Sequence, residues 1–258
     1  MAFASHPDHY KRHISEQFNA ELEDVRQRIL AMGGLVEEMI LDAVKALIHA
    51  DVGLARHVLA RDDQVNSMEV QLDEDCHRIL ARRQPAASDL RLVMACVKTI
   101  NDLERMGDEA GRVAKMALDL AGGGHPPSAQ HAVQALGRQV ADMLHAVLDA
   151  FARMDSEAAV AVSARDDDVD REYEAILRQC ITFMMEDPRS ISRVLDIIWS
   201  VRSLERIGDH SKNIAEYIVY FVHGKDVRHV SLQEMADEVA EPDAATEANP
   251  AAKPEEHS

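Results

Sequence analysis

The chain has 258 residues and a formal net charge of -18 at pH 7, and only 4% of its residues are aromatic. This acidic balance argues against a nucleic-acid surface, which needs a basic footprint, and against adhesion to anionic lipid. No stretch approaches the roughly 20 apolar residues of a membrane helix, and the first residues lack the apolar core of a signal peptide. We therefore expect a cytoplasmic protein that binds no nucleic acid and does not insert into a membrane.

Helix-forming residues at helical spacing are interrupted by only a few Gly, Pro and Asp breakers, which predicts an all-α protein. A Gly-Pro loop at residues 122–128 divides the predicted helices into two groups of three. We predict one three-helix bundle over residues 13–121, a second over 128–224, and a disordered acidic tail over 232–258. The six long predicted helices span residues 14–50, 53–83, 88–120, 128–153, 156–186 and 190–222.

The two halves of the sequence are related by an internal repeat. The string ARDD at residues 60–63 recurs at 164–167, an offset of 104. The hexapeptide LERMGD at 103–108 recurs as LERIGD at 204–209, an offset of 101. Self-similarity at a fixed spacing is typical of duplicated structural units. The two predicted bundles are therefore interpreted as copies of one another.

Four residues of the first repeat are predicted to lie at matching heights on two facing helices. Residues equally far from the turn of an antiparallel hairpin share a height, because both helices rise by about 1.5 Å per residue. Asp62 with Asp108, and Asn66 with Glu104, both average to position 85. That position is Pro85, in the predicted turn. The acidic side chains of the two helices should therefore face each other.

The second repeat gives the same match around Pro188, where Asp166 is paired with Asp209 and Asp170 with Glu205. Clustered carboxylates repel one another unless a cation binds, and oxygen ligands favour Mg²⁺, Mn²⁺, iron or Ca²⁺, with zinc less expected. Since Asn66 brings no charge, the first site should bind its metal more weakly. The predicted metal ligands are Asp62, Asn66, Glu104 and Asp108 in the first repeat, and Asp166, Asp170, Glu205 and Asp209 in the second.

The simplest alternative is that these acids lie on a solvated face and pair with basic neighbours. Exposed pairs of that kind are common and contribute only about 0 to 1 kcal/mol each. The height match in both repeats favours metal binding over this alternative. The basic candidates are Arg61, Arg105, Arg165 and Arg206.

Signatures of other site classes are missing from the sequence. There is no nucleophile elbow, P-loop or dinucleotide fingerprint. A Glu-x-x-His string occurs once, from Glu74 to His77, without the second copy that a di-iron bundle needs. Cys76, Cys96 and Cys180 form no CxxC pair and are interpreted as buried thiols. The sequence therefore predicts no assembled catalytic site.

Four kinds of string along the chain are specific enough to compare with a known family: ISEQFNAEL at residues 14–22, RQPAASDLR at 83–91, the two LERxGD hexapeptides and GKDVRHV at 224–230. They resemble the PhoU family, the accessory regulators of bacterial phosphate-specific transport. The resemblance covers residues 13–231. It implies a cytoplasmic homodimer of three-helix bundles that can bind multinuclear metal clusters through the acidic residues identified above.

The resemblance also implies a function. It indicates a non-enzymatic negative regulator of phosphate uptake and of the phosphate-starvation response. Such a protein links the ATPase subunit of the phosphate ABC transporter to a phosphate-sensing histidine kinase. Two alternatives use the same acidic residues: a carboxylate-bridged metalloenzyme that resembles a phosphohydrolase, and a metal-storage bundle.

Overall fold

The structure is a computed structural model that describes residues 7–85, 87–121 and 127–240. Over these residues the chain forms α-helices and one short 3-10 turn, with no strand, which confirms the all-α prediction. The 3-10 turn, Pro188–Ser190, lies between the sixth and seventh helices. The helices are α1 (Pro7–His49), α2 (Val52–Arg83), α3 (Ala87–Leu120), α4 (Pro127–Arg153), α5 (Ser156–Ser163), α6 (Asp166–Glu186), α7 (Ile191–His223) and α8 (Leu232–Ala240).

The predicted helix over residues 156–186 is divided into α5 and α6 by a break at 164–165. Asp166, Asp167 and Asp168 fill the first turn of α6, where carboxylates interact favourably with the positive end of the helix dipole. The first repeat has Gln64 at the position of Asp168, and α2 continues through it without a break. The helix break in the second repeat therefore coincides with a third aspartate, Asp168, that the first repeat lacks.

A short helix, α8, forms where the sequence predicts disorder. Ser231 and Glu234 make a reciprocal capping box: the Glu234 carboxylate accepts from the Ser231 amide at 2.7 Å, and the Ser231 hydroxyl accepts from the Glu234 amide at 3.2 Å. Met235 is buried, and α8 packs against α5 and α7. The prediction for 232–258 is therefore wrong over 232–240, and the rest of that segment lies outside the described residues.

The two halves pack against each other through α1 with α4 and α3 with α7, around a continuous apolar core. Glycines permit the closest approach. A Cβ atom at Gly33 would lie 2.5 Å from Leu148 Cδ2, and one at Gly137 would lie 2.6 Å from Val44 Cγ2. The 104-residue offset converts Gly33 into Gly137 and Val44 into Leu148, so each contact is the repeat equivalent of the other. The two halves are therefore related by approximate two-fold symmetry.

None of the described helices is long and apolar enough to cross a membrane. The three cysteines are buried and free, as predicted. Burial raises the pKa of Cys76 to about 11 and that of Cys96 to about 12, so both thiols stay protonated at neutral pH.

Candidate metal centres

Each acidic group lies between the two helices of a hairpin. We call Asp62, Asn66, Glu104 and Asp108 the first acidic set, and Asp166, Asp170, Glu205 and Asp209 the second acidic set. The first set lies between α2 and α3, whose connection passes through Gln84 in the left-handed conformation (φ 46°) and Pro85. The second set lies between α6 and α7, which are joined by the 3-10 turn that starts at Pro188.

Glycine in each LERxGD motif brings the facing helix close. A Cβ atom at Gly107 would lie 3.2 Å from Val65 Cγ1 and 3.7 Å from Asp62 Oδ1. A Cβ atom at Gly208 would lie 3.2 Å from Val169 Cγ1 and 3.8 Å from Asp166 Oδ1. The two hairpins therefore have the same register. In both hairpins the aspartate of the first helix, Asp62 or Asp166, lies beside the glycine that precedes its predicted partner, Asp108 or Asp209.

Like charges crowd the first acidic set. Burial, followed by the negative charge of Asp108, raises the pKa of Asp62. Burial also raises the pKa of Glu104, with further contributions from Asp108 and Glu69. Oδ1 of Asp62 and Oδ1 of Asn66 are buried and accept no hydrogen bond from the residues that the structure describes. Such buried acceptors normally have a partner, so both oxygens are suited to a bound cation.

Glu69 is a member of this region that the sequence analysis missed. Burial raises its pKa, and the charges of Asp73 and Asp108 raise it further. Residues 62, 66 and 69 follow an i, i+4, i+7 spacing on one face of α2, and this spacing was the available signal. Glu69 supplies a carboxylate beside the uncharged Asn66, which lessens the expected weakness of the first site.

The second acidic set combines four mutually repelling carboxylates. Burial raises the pKa of Glu205 to about 7, and Asp209 is the next largest cause. Partial desolvation raises the pKa of Asp209, and the charges of Asp166 and Asp170 add to that effect. Burial and the charge of Asp166 likewise raise the pKa of Asp170. All four predicted residues of this set are thus electrostatically coupled.

Two basic side chains, which the sequence analysis did not propose, offset part of this charge. Lys212 Nζ donates to Asp166 Oδ2 at 2.7 Å, and Arg202 donates to Glu205. The other oxygen of each carboxylate, Asp166 Oδ1 and Glu205 Oε2, is buried without a hydrogen-bond partner among the described residues. Each carboxylate therefore has one oxygen in an ion pair and one available to a further ligand.

Two of the four basic neighbours named in the solvated-face alternative pair with acids outside the two sets, whereas the charge of Arg105 partly offsets the raised pKa of Glu104. Arg61 pairs with Glu38 and Asp42 of α1, each at 3.0 Å. Arg206 pairs with Glu109 at 3.0 Å. That part of the alternative is wrong for these two arginines. The structure instead assigns the ion pairing of the second set to Lys212 and Arg202.

The donor chemistry fits an oxygen-liganded cation, although the side chains do not form a closed site in this arrangement. Across the described residues, no three His, Cys, Asp or Glu side chains converge as ligands of one ion. Among the described residues, seven buried side-chain oxygens have no hydrogen-bond partner, and four of them belong to predicted ligands: Asp62, Asn66, Asp166 and Glu205. The other three are on Thr99, Asp102 and Ser163. A cation that binds Asp166 would compete with the Lys212 ammonium group for this carboxylate. Metal binding stays a prediction.

Comparison with known proteins identifies relatives of the whole helical region. The model of the PhoU domain matches residues 29–117 and 133–218. A phosphate-specific transport system accessory protein PhoU homolog of Pseudomonas aeruginosa is 58% identical, over 90% of this chain and 96% of that protein. The phosphate-specific transport system accessory protein PhoU of Escherichia coli (strain K12) is 50% identical, over 87% of this chain and 92% of that protein.

Two crystal structures have the same fold. That of PhoU from Pseudomonas aeruginosa superposes with a TM-score of 0.78 at 58% identity and covers 81% of this chain and 100% of the other. That of the phosphate transport system regulatory protein PhoU from Streptococcus pneumoniae gives a TM-score of 0.75 at 31% identity, with coverage of 81% and 99%. The fold therefore persists across a wide range of sequence identity.

Proposed function

The chain belongs to the PhoU family, and on that premise we propose that it is an accessory regulator of phosphate-specific transport that catalyses no reaction. One observation carries this proposal: relatives that are 58% and 50% identical over nearly their full length have names describing accessory proteins of the phosphate-specific transport system. Because the similarity extends over both bundles, the proposal concerns the whole helical region rather than one motif.

The finer proposal is an adaptor in the cytoplasm that restrains phosphate uptake and the phosphate-starvation response. Its partners are the ATPase subunit of the phosphate ABC transporter and a phosphate-sensing histidine kinase. Equivalent exposed apolar side chains on the two halves support contacts with other proteins. Leu90 and Met94 of α3 correspond to Ile191 and Leu195 of α7 under the 101-residue offset, and all four are 40 to 42% exposed.

We also propose that the two acidic sets hold Mg²⁺, Mn²⁺ or iron, with zinc as a further candidate. In the first set the ligands would come from Asp62, Asn66, Glu104 and Asp108, with Glu69 nearby. In the second set they would come from Asp166, Asp170, Glu205 and Asp209. A bound cation supplies positive charge that neutralises the coupled carboxylates and ties two helices together. It therefore supports a structural and signalling role, and the ions of one set are proposed to form a multinuclear cluster.

One observation favours a second candidate, a metal-dependent phosphohydrolase. Glu205 has a pKa of about 7, and a carboxylate that titrates near neutral pH beside a cation site has the property of a general base. Hydrolysis of phosphate esters that requires added metal and is lost in Glu205→Ala would favour this candidate over the adaptor. A metal-storage protein would instead take up many ions per chain.

Complementation tests the proposed function. A strain of Escherichia coli that lacks its own accessory protein is given this chain, and phosphate uptake is measured in medium rich in phosphate. Restored restraint of uptake supports the regulator, and uptake equal to that of the empty strain contradicts it.

In parallel, the purified chain is tested for capture of the transporter ATPase and of the kinase sensor region. Failure to capture either partner, with and without Mn²⁺, would refute the adaptor. Size-exclusion chromatography with light scattering tests the proposed homodimer.

A further inference from the structure

A cavity of about 360 Å³ opens between α3 and α7, and none of its lining residues belongs to either acidic set. This volume lies in the lower part of the range found for small-molecule sites. The cavity wall contains three arginines and one glutamate, which is a local excess of positive charge in a chain of net charge -18. Its lining residues are Glu109, Arg112, Met116, Trp199, Arg202, Ser203 and Arg206.

A buried carboxylate positions two of the arginines. The Glu109 side chain is only 3% exposed, and its Oε1 accepts from Arg112 Nη1 at 2.7 Å and lies 3.0 Å from Arg206 Nη1. The two guanidinium groups therefore come from opposite helices and meet at one oxygen. A guanidinium has five N–H donors, so each can bind a second acceptor while it stays on Glu109. Both side chains are 40% or more exposed, which leaves them accessible from solvent.

The third arginine extends the basic wall along α7. Arg202 lies on the cavity and also donates to Glu205 of the second acidic set. Guanidinium groups bind phosphate oxygens through paired hydrogen bonds, and several of them around one cavity are suited to a ligand that carries phosphate.

An aromatic ring provides the other recognition element. Trp199 lines the cavity with its side chain 62% exposed, although large aromatic side chains are normally well buried. Met116 faces it from α3 and adds an apolar surface. A flat heterocycle can stack on an exposed indole, and such stacking contributes about 1 to 3 kcal/mol for a nucleic-acid base.

The internal repeat shows that this cavity is not a general result of packing α3 on α7. Under the 101-residue offset only Arg206 keeps an arginine counterpart, whereas Arg112 and Arg202 correspond to asparagines and Trp199 corresponds to a lysine. At that equivalent place Lys98 Nζ lies 5.0 Å from the ring centre of Tyr217, and His210 pairs with the buried Asp102 at 2.7 Å. The counterparts of Arg112, Met116, Trp199, Arg202 and Arg206 are Asn213, Tyr217, Lys98, Asn101 and Arg105.

We propose that this cavity binds a nucleoside phosphate, with the base stacked on Trp199 and the phosphate held by Arg112, Arg202 and Arg206. The volume of the cavity and its combination of an exposed indole ring with three guanidinium groups match that ligand class. The site uses neither a metal ion nor any residue of the predicted ligand sets, and Arg202 is its one contact with the second acidic set. Binding is therefore tested without metal ions, and the variants that test it change arginines that do not contact that set.

The chain contains one tryptophan, so tryptophan fluorescence, excited selectively over the four tyrosines, reports on this cavity alone. The full chain is titrated with AMP in the presence of EDTA, with excitation at the red edge of the indole absorption. We expect saturable quenching by AMP, no saturable effect of adenosine, and displacement of AMP by inorganic phosphate only at much higher concentration. Equal potency of inorganic phosphate and AMP would overturn the role assigned to the ring.

Arg112→Gln should weaken AMP binding by about tenfold or more, the loss expected for a charged hydrogen bond to phosphate. The matched control is Arg171→Gln, because Arg171 also pairs with an acid three residues earlier, Asp168, but is exposed and does not line the cavity. If Arg112→Gln lacks a normal thermal transition, Arg206→Gln replaces it. Quenching that is absent at millimolar AMP, or unchanged in the folded arginine variants, contradicts the proposal.

Discussion

Replacing Glu205 by glutamine should remove a pH-dependent destabilisation from the second acidic set. Burial and the charge of Asp209 raise the pKa of Glu205 from 4.5 to about 7. The folded protein therefore keeps a proton that the unfolded chain loses as the pH rises through this interval, and stability falls over the same interval. A shift of that size corresponds to about 3 kcal/mol.

The difference in free energy of unfolding between Glu205→Gln and the parent chain should increase with pH. In EDTA, Glu205→Gln and the parent chain should have similar free energies of unfolding near pH 4.5. Above pH 7 the variant should be more stable by about 3 kcal/mol, or about 6 to 12 °C in melting temperature for a chain of this size. Thermal unfolding followed by circular dichroism across this pH range measures the gap.

The control variant is Glu186→Gln, which removes the same charge from an exposed position at the end of α6. It should change the melting temperature only slightly, and this change should not increase with pH. The reasoning fails if Glu205→Gln gives a gap that stays constant with pH, or no gap at all. Either result would mean that burial does not hold the proton on Glu205.

Further variants test other contacts. Lys212→Met removes the ammonium group from the second acidic set. It should destabilise the chain by about 1 to 3 kcal/mol in EDTA, and chemical unfolding should show this cost shrinking with added Mn²⁺. His210→Ala leaves the Asp102 carboxylate buried, and urea unfolding should show a loss of about 2 to 4 kcal/mol. Gly33→Ala should destabilise by about 1 to 3 kcal/mol through overpacking, whereas its neighbour Gly34→Ala, which has open space, should stabilise by up to about 1 kcal/mol; equal melting temperatures would contradict this.

The fold could largely be predicted because helix breakers and the internal repeat are local properties of the sequence. The break between α5 and α6 was missed because the apolar pattern continues across it, while the acidic first turn at 166–168 restarts the helix. The helix α8 was missed because acidic composition suggested disorder. The Ser231 and Glu234 capping box and the apolar Met235 were the signals that composition concealed.

The acidic sets could be located because hairpin symmetry converts sequence positions into heights. Their surroundings could not be derived in this way, since ion pairs depend on which rotamer each long side chain adopts. Lys212 reaches Asp166 from the opposite helix, and the second repeat has this lysine where the first has Gly111. Glu69 lies on the predicted face of α2, but it has no acidic counterpart at Tyr173, so a search guided by the repeat passed over it.

The most direct test of the central claim is anomalous X-ray scattering from crystals of the chain grown with Mn²⁺. We predict an anomalous peak in each acidic set, one in contact with Glu104 and Asp108 and one in contact with Glu205 and Asp209. In the second set, the Lys212 ammonium group should have moved away from its carboxylate partner. Ordered acidic side chains with no anomalous peak in either set, and Lys212 still in its ion pair, would contradict the claim that the repeated motifs are metal sites.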